Sequence, residues 1–187
     1  MQNERNLATK KKIKRACLTS IPVVLIASTL VIIILEMSGY AGTIDDTQLG
    51  FSGKIIKNYF ATMNTNQLNL FLLGNLVDYL FMISYGSFFF TSAKLLSWNY
   101  KQPFKKIGNI FSYIGILSAV FDSIENIFLI SMILNYKNFP DWLALFHSTF
   151  ATMKFICMYS IIIWLLISCI INGLLKINDR KRKKKIN

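Results

Sequence analysis

Residues 112–126 read SYIGILSAVFDSIEN and place two carboxylates inside an otherwise apolar stretch. Six small or polar residues recur in it at intervals of 3, 3, 4, 3 and 1: Ser112, Gly115, Ser118, Asp122, Glu125 and Asn126. Those intervals put all six on one face of an α-helix. Carboxylates within an apolar span are costly and normally face a bundle interior or a wet cavity. The stretch therefore predicts a membrane-crossing helix with an inward polar face.

The rest of the chain has the same character, with long apolar runs separated by basic segments. Of its 187 residues 53% are hydrophobic, and the formal net charge is +12. A soluble domain would scatter its apolar residues at amphipathic spacing. Basic segments between apolar runs indicate contact with a membrane surface, with anionic lipid at the basic termini. We expect no nucleic-acid partner, because no soluble stretch is long enough to fold a basic face.

The apolar runs predict an all-α integral membrane four-helix bundle. Each run exceeds the roughly 20 residues that cross a hydrocarbon core. The predicted spans are residues 17–36, 68–96, 107–134 and 142–175, which together form a membrane domain over residues 17–175. A basic segment, 1–16, precedes this domain, and a basic tail, 176–187, follows it. The first run resembles a signal peptide but is long for one, so we predict a retained span, with Pro22 near the helix start.

The predicted outer loop, residues 37–67, is long for an idle connection. Its second half, Leu49 to Met63, carries apolar residues at helical spacing. This pattern predicts a short amphipathic helix that either lies on the membrane or caps the bundle.

The distribution of basic residues predicts the orientation in the membrane. Of the 21 Lys and Arg residues, 17 lie in the two termini and in the connection between the second and third spans, with Lys94 at the end of the second span counted in, and three lie in the other two loops. Both termini are therefore expected in the cytoplasm. We expect the cell membrane in a bacterium. In a eukaryote the C-terminal Lys184-Lys185-Ile186-Asn187 has the form of an endoplasmic-reticulum retrieval signal.

Four ionisable residues fall at one depth in the predicted bundle. At about 1.5 Å per residue, Asp78, Asp122, Glu125 and Lys154 all lie roughly 14 to 18 Å below the outer helix ends. We expect these four and Asn126 to form an intramembrane polar site. Its candidate accessory residues are Asn75, Tyr85, Ser118 and His147. Gly115 and Ala119 form a small-xxx-small pair, which predicts a close helix contact.

Three functions fit this polar site. Three acids beside one lysine leave excess negative charge, which favours binding or movement of a proton, a cation or an amphiphilic small molecule. In that hypothesis Asp122 and Glu125 titrate, Lys154 is the counter-ion and Asp78 is the acid from the facing helix. Alternatively, the charges only fix helix packing in a structural or accessory subunit. A lipid-modifying intramembrane enzyme is the third hypothesis.

Several classes of chemistry are disfavoured. The sequence has no nucleophile–base spacing, Gly-rich phosphate loop or HExxH motif, which favours a non-enzymatic role and predicts no cofactor. A lysine among the acids argues against a metal site. Four spans are few for a self-sufficient transporter, which leaves a homodimer or another membrane partner open.

The chain resembles a family of small, uncharacterised four-span membrane proteins. The similarity rests on four short stretches: Asp46 to Ser52, Asp78 to Gly86, Phe121 to Asn126 with its D-x-x-E-N pattern, and His147-Ser148 through Lys154. They reach from the outer loop into the fourth span. The resemblance implies the four-span architecture and the choice of site residues, and it implies no activity.

Overall fold

A computed structural model describes residues 2–186, with side chains for residue 4 and residues 6–177. In this part the chain forms six helices and no strand: α1 Gln2–Ser38, α2 Ile44–Thr47, α3 Gly53–Ala61, α4 Thr65–Leu96, α5 Phe104–Leu134 and α6 Asp141–Ile186. The all-α prediction is confirmed. Four of these helices are long and apolar enough to cross a membrane, over Asn6–Ser38, Thr65–Leu96, Phe104–Leu134 and Asp141–Ile177.

The first and last helices extend well beyond the predicted spans. α1 begins at Gln2, so Pro22 lies inside the helix, and its predicted place near the helix start is wrong. The hydroxyls of Thr19 and Ser20 each donate to the carbonyl three residues earlier, that of Ala16 and that of Cys17. α6 continues through the basic tail to Ile186, where the side chains beyond Ile177 lie outside the described residues.

The long helices form one bundle in which α5 lies between α4 and α6, while α1 packs mainly against α4. α4 and α5 approach closely at two glycines. A Cβ on Gly86 would stand 2.8 Å from the Cβ of Ala119, and one on Gly115 would stand 2.6 Å from the Cβ of Phe89. The predicted close contact at Gly115 and Ala119 is therefore confirmed. This contact fixes the register that places the polar residues of α4 opposite those of α5.

Helix α3 caps one end of the bundle. Ser52 begins it, since its hydroxyl accepts a hydrogen bond from the backbone of Ile55. Ile56 and Phe60 are fully buried, in a cluster with Phe71 of α4 and Phe139 of the α5–α6 turn. The predicted helix over Leu49 to Met63 is thus shorter than expected. Of its two predicted placements, packing on the bundle is the observed one.

Side-chain contacts hold the segment from α2 to α3, hereafter the cap, onto α6. The Phe51 backbone N–H donates to the Ser148 hydroxyl at 3.1 Å, and Lys57 pairs with Asp141 at 2.9 Å. Within the cap, the Tyr59 hydroxyl donates to Asp46 at 2.7 Å, and this bond raises the pKa of Tyr59. The cap is therefore fixed over the helix ends nearest to His147.

Candidate functional site

The predicted intramembrane site residues meet in the middle of the bundle. Asp78 comes from α4, three of them come from α5, namely Asp122, Glu125 and Asn126, and Lys154 comes from α6. We call these five residues the acid–lysine cluster. Asp122, Glu125, Asn126 and Lys154 are buried, and Asp78 is half-buried. The cluster joins all three inner helices.

Lys154 forms the centre of this cluster. Its Nζ lies 3.0 Å from Asp122 Oδ1 and 2.5 Å from Glu125 Oε2. The ammonium also lies 4.8 Å from the ring centroid of Phe155, an additional cation–π contact. The lysine side chain is only 6% exposed, so these groups replace the water that its charge has lost. One lysine therefore serves two carboxylates.

Asp122 has a partner at each carboxylate oxygen. Besides Lys154 at Oδ1, it accepts a 2.8 Å hydrogen bond at Oδ2 from the Tyr85 hydroxyl of α4. Ser118 lies within hydrogen-bonding reach of the same hydroxyl. It donates its own proton to the carbonyl of Gly115. Asp122 thus contacts a cation at one oxygen and a neutral donor at the other.

Asp78 differs because its side-chain partner is an amide. The Asn126 Nδ2 donates to Asp78 Oδ2 at 3.0 Å and to the backbone carbonyl of Asn75 at 3.3 Å. The Asn75 side chain donates to the carbonyl of Phe71. Among the described residues, no Lys, Arg or His lies within ion-pair distance of Asp78. Asp78 is therefore the acid of the cluster that has no cation of its own.

His147 connects the cluster with the cap. Its Nδ1 lies 3.3 Å from the backbone carbonyl of Glu125 and 3.8 Å from Glu125 Oε1. The ring is fully buried and also lies against the backbone of Thr47 in α2. A hydrogen bond from Nδ1 to this carbonyl requires the tautomer with its proton on Nδ1. His147 thus lies between the cap and Glu125, while its Nε2 has no hydrogen-bond partner in the described part of the chain.

The charges of the cluster do not balance when every acid is ionised. Three carboxylates face one ammonium, which leaves two negative charges beside a neutral imidazole. Charges in a water-poor interior carry a large desolvation cost, and neighbouring carboxylates repel each other. A proton or another cation on one carboxylate would lower that cost.

Five of the surface grooves on the described part of the chain have volumes of about 340 to 590 Å³. None of these five is lined by an acid of the cluster. The two of about 450 and 590 Å³ beside α1 are lined by apolar side chains and a few hydroxyls, with no charged residue among the described side chains that face them. No set of three His, Cys, Asp or Glu residues with metal-binding geometry occurs among the described residues.

All nine residues singled out from the sequence make contacts within this one network. Three participants were missed: Phe155, which faces the Lys154 ammonium; Tyr79, whose hydroxyl donates to the carbonyl of Ser123; and Thr47, beside His147. Depth along a helix could have suggested Tyr79, which follows Asp78. No sequence signal marks Phe155 or the Thr47 backbone, because their contacts depend on side-chain rotamers and on the path of the cap.

Comparison with protein-family models, with curated proteins and with solved structures finds no match to this chain. The resemblance to small four-span membrane proteins therefore stays a prediction.

Proposed function

We propose that this chain is a multi-pass membrane protein with both termini in the cytoplasm and the cap on the outer side. Large exposed apolar side chains along the four long helices support the membrane placement, for example Leu25, Ile83 and Ile156, each more than 60% exposed. Lipid would cover these side chains. The excess of Lys and Arg at the two termini and the α4–α5 turn supports the orientation.

Within this protein, we propose that Asp78 binds an exchangeable proton. The observation that carries the proposal is the contrast between the acids: Asp122 and Glu125 contact the Lys154 ammonium, whereas Asp78 contacts only the Asn126 amide. A carboxyl group without a cation in a low-dielectric setting is favoured in its neutral form. The titrating role that the sequence suggested for Asp122 and Glu125 thus passes to Asp78.

The position of the five grooves away from the acids favours a proton over a larger ligand. A hydrated cation, an amine or a lipid headgroup would need space beside the acids, and none of the five grooves provides it. A proton needs no cavity. Glu125 and His147 are polar groups that lie between Lys154 and the cap.

Infrared spectroscopy of the protein in liposomes tests this proposal. Difference spectra between about pH 5 and pH 8 should contain the C=O stretch of a protonated carboxylic acid. That band should disappear in Asp78→Asn, which keeps the side-chain size and the contact with Asn126 but cannot titrate. It should persist in Asp45→Asn, a matched change at an exposed acid of the cap.

Two results would count against a proton on Asp78. One is a carboxylic-acid band that survives in Asp78→Asn and disappears in Glu125→Gln, which would assign the proton to Glu125 instead. The other is a spectrum without any titrating carboxylic acid in the folded protein. Circular dichroism on the same samples separates either result from loss of the fold.

A structural role is the second candidate, and a specific observation favours it. Lys154 joins α6 to two acids of α5, and Tyr85 joins α4 to one of the same acids. Such a network fixes the rotation of three helices about their axes even if no proton moves. The two roles are compatible, since they use different acids.

A further inference from the structure

A polar groove lies at the end of the bundle opposite the cap. It has a volume of about 340 Å³ and lies between the basic part of α1, the α4–α5 turn and the start of α5. Eight residues line it: Asn6, Thr9, Ile13, Lys94, Ser97, Trp98, Lys105 and Asn109. Two of these residues are lysines, and none of the described residues that line the groove is acidic. The acid–lysine cluster contributes nothing to it.

Lys94 is held in place by its neighbours in this groove. Its Nζ donates to Asn109 Oδ1 at 2.9 Å and lies 5.6 and 5.2 Å from the ring centroids of Phe90 and Tyr113. An amide and two rings neutralise none of its positive charge. A lysine held this way at a membrane boundary presents a fixed cation, which is what a negatively charged group requires.

Ser97 provides a second and independent observation. Its side chain is 2% exposed, and its hydroxyl has no hydrogen-bond partner in the described part of the chain. The hydroxyl lies against Gly108, where any larger residue would collide with it. A buried hydroxyl without a partner is uncommon, because it has lost water and gained nothing in exchange. Ser97 also lines the groove, so a bound oxygen atom is the partner that we expect for this hydroxyl after a change of side-chain rotamer.

We infer that this groove binds a phosphate group, with Lys94 and Lys105 as its cations and Ser97 as a hydrogen-bond donor. Phosphate oxygens accept several hydrogen bonds at once and match ammonium groups well. The level of the groove, beside Trp98 at the end of an apolar helix, is that of phospholipid headgroups. An anionic phospholipid and a free phosphate share the chemistry that this site recognises.

A lipid source fits the surroundings better than a soluble one. The apolar side chains of α1, α4 and α5 continue from this end of the bundle toward the cap and offer a surface for acyl chains. This inference rests on the membrane placement proposed above and is independent of the proton on Asp78. Resistance to alkaline carbonate extraction from membranes tests that placement separately. Failure of the membrane placement can therefore be distinguished from failure of the phosphate site.

The test measures thermal unfolding of the full chain in nanodiscs. Wild-type protein should unfold at a higher temperature when part of the phosphatidylcholine is replaced by phosphatidic acid. Lys105→Gln should lose most of that increase while unfolding normally in pure phosphatidylcholine. Lys106→Gln is the matched control, because Lys106 is the next residue in the chain and is also exposed, but does not line the groove. Ser97→Ala should weaken the response without any change in charge.

Each further outcome bears on the inference. Loss of the response in Lys106→Gln as large as in Lys105→Gln would overturn it, because diffuse surface charge would then explain the effect. An unfolding temperature that is the same in pure phosphatidylcholine and in the mixture with phosphatidic acid would overturn it as well. Saturable stabilisation by inorganic phosphate, abolished in Lys105→Gln, would support the site with free phosphate as its ligand. Native mass spectrometry of retained phosphatidic acid gives an independent measure of the same loss.

Discussion

Lys154 is a buried cation that contacts two carboxylates. It lies within ion-pair distance of both Asp122 and Glu125, and it is almost completely buried. Removing one partner of a buried ion pair is costly because the other charge stays behind in a poor solvent. The neutral amide contact of Asp78 with Asn126 has no such consequence.

We therefore expect Lys154→Met to lower the free energy of unfolding by about 3 to 5 kcal/mol. The added change Asp122→Asn should restore part of that loss, because it removes one of the two stranded negative charges. Thermal unfolding in detergent, monitored by circular dichroism, gives the stability of the wild type, the two single variants and the double variant. If the losses of unfolding free energy in the two single variants add up to the loss in the double variant, Lys154 and Asp122 are not coupled.

A surface lysine provides the control for this cycle. Lys57 pairs with Asp141, whose side chain is 74% exposed, and Lys57→Met should cost less than about 1 kcal/mol. A cost similar to that of Lys154→Met would mean that any loss of lysine destabilises this chain. The comparison therefore separates the effect of burial from the effect of charge.

At the residue scale, sequence alone could identify the members of the site but not their pairing. Depth along each helix predicted that Asp78, Asp122, Glu125 and Lys154 share one level, because helical rise is regular. Which acid contacts the lysine depends on helix rotation and rotamers, which spacing does not encode. The sequence therefore suggested the titrating role for Asp122 and Glu125, and we propose it for Asp78 because the other two acids contact Lys154.

At the scale of elements, the cap depends on one apolar face of α3. Phe60 is fully buried, with its ring centroid 5.9 Å from that of Phe71 and 6.4 Å from that of Phe139. Those contacts tie α3 to α4 and to the α5–α6 turn. The helix itself has only nine residues, Gly53 to Ala61, too few to be stable without this packing.

Phe60→Ala should release the cap while the long helices stay folded. The lost contacts correspond to about 3 to 5 kcal/mol, a range typical of buried phenylalanine truncations. We expect faster hydrogen exchange over residues 53–61 and, as the cap opens, at His147. Hydrogen–deuterium exchange with mass spectrometry in detergent measures both regions.

Asn58→Ala is the matched control on the same helix, because Asn58 is exposed. Its exchange rates should equal those of the wild-type protein. Fast exchange in α4 or α5 of Phe60→Ala would contradict a locally opening cap and indicate that α3 stabilises the whole bundle.

The sequence predicted the bounds of some helices better than those of others. The periodicity of Leu49 to Met63 indicated an amphipathic helix, but Ser52 starts it later than predicted and α2 forms before it. The full extent of α1 was not predicted, because its basic first part carries no apolar signal. That part is helical and contacts the α4–α5 turn, where Lys10 donates to Asn99.

For the whole molecule, the number of long apolar helices and the distribution of charge could be derived from composition. Apolar runs and basic segments are properties of the chain itself, so they need no knowledge of packing. The position of α1 on the outside of α4 could not be derived, since any of the other three helices offers an apolar face. The polar groove at the basic end could likewise not be derived from the sequence, because its lining combines residues from α1, α4 and α5.

The orientation of the whole molecule leads to the last prediction. In a chain whose cysteines at positions 17, 157 and 169 are replaced by serine, Lys137→Cys lies in the exposed α5–α6 turn and Lys101→Cys in the exposed α4–α5 turn. A membrane-impermeant maleimide added to intact cells should label the cysteine at 137 and should label that at 101 only after permeabilisation. The physical reason is that basic segments remain on the cytoplasmic side during insertion. The reverse pattern would place the cap inside the cell and the phosphate groove outside it. Labelling of both positions in intact cells would contradict a membrane crossing by α5, and with it the burial of the acid–lysine cluster within the bilayer.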